Sequence, residues 1–152
     1  MNLKYSETFY SPQGEGAYVG IPSLWIRFFL CNLQCNGFGQ DEPTKPDTWE
    51  LPYETIDISE IKVVEELPVF DKGCDSSYTW AKKYKHLITD RTVEEAVDEL
   101  TALLPTSTFI HAKTGQAADM VFTGGEPMLK QAQLSMVAIM REFAKRGDCP
   151  AR

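Results

Sequence analysis

Residues Leu24 to Leu30, Leu-Trp-Ile-Arg-Phe-Phe-Leu, set one arginine among apolar side chains and run straight into Cys31-Asn-Leu-Gln-Cys35. A run this short and continuously apolar, opened by Pro22, predicts a strand buried on both faces, as in a parallel sheet lying under helices. The rest of the chain must then supply neighbouring strands and the helices that cover them. The run also makes two chemical demands. The guanidinium of Arg27 must meet an anion, either an internal acid such as Glu15 or the carboxylate of a ligand, for which its planar fork is suited. The thiols of Cys31 and Cys35, just past the strand, point to part of a metal site. Alone they are a weak signal, because buried free cysteines are common and so close a pair makes an awkward disulfide. If the motif continued as Cys-x-x-x-Cys-x-x-Cys, the third thiol would fall at position 38, where the chain has Phe38.

The covering elements can be read in order. Leu3 to Tyr10 alternates loosely and reads as a strand, ended by the tight loop Ser11-Pro-Gln-Gly-Glu-Gly16. Thr92-Val-Glu-Glu95 is a capping box, and Val93, Ala96, Val97, Leu100, Leu103 and Leu104 form one helical stripe stopped by Pro105. Thr106 to Ala118 is a polar connection. Met120-Val-Phe-Thr-Gly-Gly-Glu-Pro127 reads as a strand entering a Gly-Gly turn. Leu129 to Lys145 follows as a helix with Leu134, Val137, Ala138, Met140 and Phe143 on its apolar face and Gly147 as its stop. Strand, long excursion, helix, strand, helix is the order of βα units.

The excursion differs from the rest. Residues 36–73 hold four prolines and ten acids against three lysines, so they carry the chain's whole net charge of −7. They read as an insertion with little regular structure beyond a strand or two around Ile56-Asp-Ile-Ser-Glu-Ile61, with a solvated acidic face. An acidic chain without a basic stripe is unsuited to binding duplex nucleic acid directly. At 152 residues and 43% hydrophobic content, one cored domain spanning 1–152 is expected. No apolar run approaches the ~20 residues of a membrane span. The start, Met1-Asn-Leu-Lys-Tyr5, does not read as a signal peptide. The expectation is a cytoplasmic protein with reduced thiols. Lys82, Lys83 and Lys85 read as solvated surface or a patch for an acidic electron donor, and His86 and His111 as surface residues.

Four motifs together resemble the radical S-adenosylmethionine (SAM) enzymes, and within them the 7-carboxy-7-deazaguanine synthase family. They are the loop Phe9-Tyr-Ser-Pro-Gln-Gly-Glu-Gly16, Arg27 in the strand that follows, Cys31 to Cys35, and the turn Thr123-Gly-Gly-Glu-Pro127. In that family the third cluster cysteine is followed by Asp-Thr-x-Tyr-x-Trp. Cys74-Asp-Ser-Ser-Tyr-Thr-Trp80 has this form, with Ser76 in place of the threonine. On this resemblance Cys74 is the third ligand, and 36–73 is an insertion between the second and third cluster cysteines. Long loops of that kind are associated with phage-encoded relatives, which would place the protein in a host cytoplasm.

The resemblance implies an α/β fold, a partial (β/α) barrel of radical SAM type with the site at the C-terminal ends of its strands. The chain is expected to supply about half of such a barrel. The tail Gly147 to Arg152 stands where the next strand should begin, with Cys149 a free thiol. Cys31, Cys35 and Cys74 would hold a 4Fe-4S cluster with one iron open to SAM. Gly73, Asp75, Gly124, Gly125 and Glu126 would bind SAM, and Ser76 would ligate Mg2+. Pro12, Gln13, Gly14, Glu15 and Thr123 would hold the pterin substrate, with Arg27 on its carboxylate. A reduced cluster would cleave SAM to a 5'-deoxyadenosyl radical that converts 6-carboxy-5,6,7,8-tetrahydropterin to 7-carboxy-7-deazaguanine with loss of ammonia. A flavodoxin-like or other one-electron donor and a homodimer are the implied partners. Two other readings stay open: a glycyl-radical-enzyme activase, and a noncatalytic protein in which the three cysteines hold zinc or a cluster as a staple.

Overall fold

A computed structural model describes all of residues 1–152. It is an α/β fold built on one open, four-stranded mixed sheet. The strands are β1 (Asn2–Pro12), β2 (Pro22–Phe28), β3 (Thr89–Thr92) and β4 (Asp119–Gly124), in spatial order β3-β1-β2-β4. β1 is antiparallel to both β2 and β3, and only the β2–β4 pair is parallel. The expected barrel is therefore not seen. Backbone bonds from Met120 N to the Arg152 carbonyl and from Ala151 N to the Ala118 carbonyl lay the tail along the outer edge of β4. The Arg152 guanidinium grips Asp119 at 3.0 Å there.

β2 is not buried on both faces. Leu24, Ile26 and Phe28 are buried, whereas Trp25 and Arg27 are half-buried, the alternation of a sheet covered on one side only. The covered side meets two helices, α2 (Val93–Leu103) and α3 (Lys130–Lys145); α1 (Pro52–Thr55) is a single turn elsewhere. α2 begins at the expected capping box, with Thr92 Oγ1 accepting from Glu95 N and Glu95 Oε2 accepting from Thr92 N. Val93, Ala96, Val97, Leu100 and Leu104 enter the core, while Leu103 turns outward. Glu99 on α2 accepts from Tyr5 and Thr8 of β1, each at 2.6 Å, which fastens helix to sheet. Burial, reinforced by this carboxylate, holds the Tyr5 phenol well above its ordinary range.

The buried face of α3 is not the one the larger apolar residues mark. Ala132, Ser135, Ile139 and Phe143 are buried, whereas Leu134 and Val137 are about half exposed. Spacings of three and four residues put the buried set on one side of the helix, and Ala132, Ile139 and Phe143 join the core shared with α2 and the sheet. Ile139 is fully buried between sheet and helices. Ile139→Ala should therefore lower the unfolding free energy by about 2–5 kcal/mol, read as an earlier midpoint in urea.

Residues 36–73 contain no strand. They form turns and the α1 turn around a second core of Tyr53, Ile58, Val64 and Phe70, packed on Ala81, Tyr84 and Leu87 from the segment after Cys74. Buried Gln40 clasps the backbone of Glu50 through both ends of its amide, at 2.7 and 3.0 Å. Tyr84 donates to the Tyr53 carbonyl at 2.6 Å, and Lys83 to the Glu54 and Ile56 carbonyls. Proline and acid enrichment removed the periodic pattern of strands, yet enough apolar and aromatic side chains remain to close a small core. Lys83 is thus a structural residue of that body.

Candidate functional site

The helix-free face of the sheet carries the chemistry, and a bulge puts it there. Tyr5 pairs with Phe28 but Glu7 with Arg27, so Ser6 is an extra residue in β1. The bulge reverses the parity of the strand. Leu3 and Tyr5 before it point into the core, while Glu7 and Phe9 after it share the open face with Trp25 and Arg27. This is why the alternation of Leu3 to Tyr10 looks loose. Phe9 stacks on Trp25 with ring centroids 5.5 Å apart. Thr123 stands beside Arg27 in the β2–β4 register and so belongs to the same face.

The anion that Arg27 meets within the protein is Glu7, not Glu15: Nε lies 2.5 Å from Glu7 Oε1. Tyr78 donates to the same oxygen at 2.8 Å. Arg27 enters only through Nε, and its two terminal nitrogens have no protein acceptor. Arg27 lines a cavity of about 290 Å³ whose walls include Glu7, Asp75, Ser76 and Tyr78. Burial raises the Tyr78 phenol above its ordinary range, Arg27 opposing and Glu7 reinforcing the shift, so Tyr78 remains the donor in this pair.

β2 ends in backbone strain. Leu30 has φ +90, a left-handed conformation that costs a leucine about 1–3 kcal/mol, immediately before Cys31. The turn after β4 holds it. Gly125 N donates to the Phe28 carbonyl and Glu126 N to the Leu30 carbonyl, and Leu30 N donates to the Thr79 carbonyl. A Cβ on Gly125 would stand 2.4 Å from the Leu30 oxygen and 2.7 Å from Cys31 Cβ, so this backbone can touch the cysteine loop only as glycine.

Cys31, Cys35 and Cys74 line a single cavity of about 130 Å³, together with Phe38, Trp80 and Gly125. Two of the sulfurs accept hydrogen bonds: Cys31 Sγ from Leu33 N at 3.3 Å and Cys74 Sγ from the Trp80 indole N–H at 3.4 Å. Such donors stabilise thiolates that bind metal. The Cys35 thiol is pushed up by burial first and then by the neighbouring Cys74 and Cys31. All four cysteines are free, and Cys149 is exposed, outside this group. No three His, Cys, Asp or Glu side chains converge closely enough to hold one metal ion. A tetrahedral zinc needs its thiolates about 2.3 Å from a single point. A four-iron cluster would take one thiolate on each of three irons, and three cysteines lining one cavity are the donor type it uses.

The thiols meet because the insertion has a narrow neck. Gly73 N donates to the Phe38 carbonyl at 2.8 Å, which draws the two ends of the excursion together. Beyond the neck, Asp75 and Ser76 line both the thiol cavity and the Arg27 cavity. Ser76 donates to Asp75 Oδ1 at 2.7 Å, giving a pair of hard oxygens on the wall between them.

The remaining expected residues are placed less centrally. Gly73 lines a different cavity, with Phe38, Phe70, Asp71 and Asp75. Glu126 uses one carboxylate oxygen to accept from Met128 N at 2.8 Å, and Gly124 packs its backbone against Phe28. Pro12, Gln13, Gly14 and Glu15 are not brought to either cavity. Pro12 pairs with Pro22 at the far end of the β1–β2 hairpin, five residues from the Glu7–Arg27 pair, roughly 17 Å at ~3.4 Å per residue. An antiparallel hairpin puts its connecting loop at the end opposite Cys31, and Gln13 is occupied there with Gly20, Ile21 and Gly14. Two site residues were not singled out from the sequence, Glu7 and Tyr78. Tyr78 carried a signal in the Asp-x-x-Tyr-x-Trp run, whereas Glu7 depended on the bulge.

Comparison with curated proteins finds short stretches of similarity to 7-carboxy-7-deazaguanine synthases. The chain is 53% identical over 36 residues to the enzyme of Bacteroides thetaiotaomicron, covering 24% of this chain and 20% of that protein. It is 39% identical over 59 residues to that of Halobacterium salinarum, covering 39% and 21%. It is 50% identical over 30 residues to that of Thermoplasma acidophilum, covering 20% and 14%. The matched segments thus span about a fifth or less of these relatives. No protein-family model matches the chain. No helix is long and apolar enough to cross a membrane.

Proposed function

We propose that this chain forms the cluster-binding and carboxylate-binding part of a radical SAM enzyme of the 7-carboxy-7-deazaguanine synthase kind. Its reaction would convert 6-carboxy-5,6,7,8-tetrahydropterin to 7-carboxy-7-deazaguanine with loss of ammonia. The observation that carries the reading is the shared wall: Asp75 and Ser76 stand between the cavity of three thiols and the cavity of Arg27. The short similarities to enzymes of that name support it.

A 4Fe-4S cluster, when bound and reduced, supplies the electron that cleaves SAM. Cys31, Cys35 and Cys74 would hold it, with Leu33 N and the Trp80 indole donating to two of the sulfurs. Gly125 lets backbone approach this cavity closely, where the amino-acid end of SAM would lie. Asp75 and the Ser76 hydroxyl offer oxygen to Mg2+ on the side facing Arg27. Arg27, held by Glu7 through Nε, keeps its terminal nitrogens for the substrate carboxylate in a bidentate pair, and Thr123 stands beside it. The reading also implies an external one-electron donor and a homodimer.

Anaerobic reconstitution with iron and sulfide tests this reading. The expected result is a brown protein that cleaves SAM and forms 7-carboxy-7-deazaguanine from the carboxytetrahydropterin. A colourless protein that retains zinc after the same treatment overturns it, as does a glycyl-radical signal obtained only with a partner enzyme.

A further inference from the structure

The cavity at Arg27 has two walls of different origin. Sheet and cluster loop supply one, through Glu7, Arg27 and Tyr78. The insertion supplies the other, through Glu65, Leu67 and Val69. The residues flanking this span, Val64 and Phe70, are 8% and 6% exposed in the second core, so the span is tied down at both ends. Leu67 N donates to the Val64 carbonyl and Lys62 N to the Glu66 carboxylate, which fix its turn. Between those anchors Val69 is 93% exposed. It is an apolar side chain on the lip of a cavity, covering nothing in the protein itself.

The electrostatics of the cavity are divided as well. Glu7 is neutralised by its pair with Arg27, which leaves the guanidinium's free nitrogens as the positive end. Asp75 holds a carboxylate on the wall shared with the thiol cavity, and Glu65 brings another from the insertion side. A ligand with a carboxylate at one end, N–H donors at the other and a flat body between meets a complementary group at each point. The volume of about 290 Å³ is on the scale of small-molecule sites.

We infer that the span Glu65–Val69 is the specificity-determining wall of this cavity. Val69 and Leu67 cover the ring of a bicyclic substrate whose carboxylate sits on Arg27, and Glu65 accepts from the N–H donors of its aminopyrimidinone edge. This rests on the proposed function for the substrate, and it gives the insertion a role at the site rather than on the surface alone. It also accounts for an acidic segment that closes a core of its own against Ala81, Tyr84 and Leu87 after Cys74.

Fluorescence titration of the full-length protein with 6-carboxypterin, the oxidised analogue, reads binding without the cluster or turnover. Quinoline-2-carboxylate, which lacks the donor edge, serves as competitor. The expected result is that Val69→Asp raises Kd for both ligands by about tenfold. Glu65→Gln should weaken only the pterin, again by about tenfold. Both side chains are exposed, so the thermal midpoint should stay at the wild-type value. If both variants bind 6-carboxypterin as the wild type does while Arg27→Gln loses it, the wall is wrong and the proposed substrate stands. If the wild type itself does not bind 6-carboxypterin, the substrate reading falls and the inference with it.

Discussion

Cys74→Ala should abolish the reconstituted iron-sulfur cluster, with iron per chain falling to background, while Phe38→Ala keeps it. Both side chains line the same cavity, so each substitution alters the same surroundings and only one removes a sulfur. Loss of the Cys74 sulfur also strips the Trp80 indole of its acceptor, an effect on stability of only about 1 kcal/mol. The apo proteins should therefore unfold at similar urea concentrations and differ in iron uptake alone. Because Phe38 faces the cavity, adding Phe38→Cys to Cys74→Ala should restore part of the iron by supplying a thiol from the other side of the neck. Iron, sulfide and the visible spectrum after anaerobic reconstitution are the measurements. Full iron content without Cys74 would falsify the assignment of the third ligand.

What could be read from the sequence, and what could not, divides along physical lines. The β2 strand, the α2 capping box and the Gly-Gly turn are local statements, each written in adjacent residues, and each is found, β2 ending at Phe28 with one face open instead of both buried. The joining of Cys74 to Cys31 and Cys35 came from a run of residues after the third cysteine, and the structure places all three around one cavity. Failures arose where the outcome depends on residues far apart. The partner of Arg27 was set by an extra residue in a neighbouring strand, which turned Glu7 onto the open face. The face of α3 was set by the tertiary core that Ile139 and Phe143 enter, which buries Ala132 and Ser135 and leaves the larger Leu134 and Val137 about half exposed. The insertion was read by its charge, although its fold follows from Tyr53, Ile58, Val64 and Phe70 finding Tyr84 across the neck. The loop Ser11 to Gly16 was recognised by its letters, and its position is decided by the hairpin that carries it.

The neck gives the second large effect. Gly39 has φ +64, and a Cβ there would stand 2.1 Å from the carbonyl oxygen of Asp71. That oxygen is backbone, so no rotamer change relieves the contact; the two chain segments of the neck must separate. A left-handed alanine costs about 1–2 kcal/mol, and forced overpacking a further ~1–3 kcal/mol. Together these exceed the roughly 1 kcal/mol of the Gly73 N to Phe38 carbonyl bond that closes the neck. Gly39→Ala should then move Cys74 away from Cys35 and depress iron uptake severalfold with every cluster thiol still present. Limited proteolysis should cut within 40–72, while the helical signal of α2 and α3, which lie in the other core, persists. Gly20→Ala is the matching control: its φ is +82, but a Cβ there meets nothing within 4 Å, so it bears the backbone cost alone. Wild-type iron uptake by Gly39→Ala would mean that the neck is not what gathers the ligands. A loss specific to Gly39 makes the insertion a fastener of the cluster site, because its closure sets how far Cys74 stands from the pair at the end of β2.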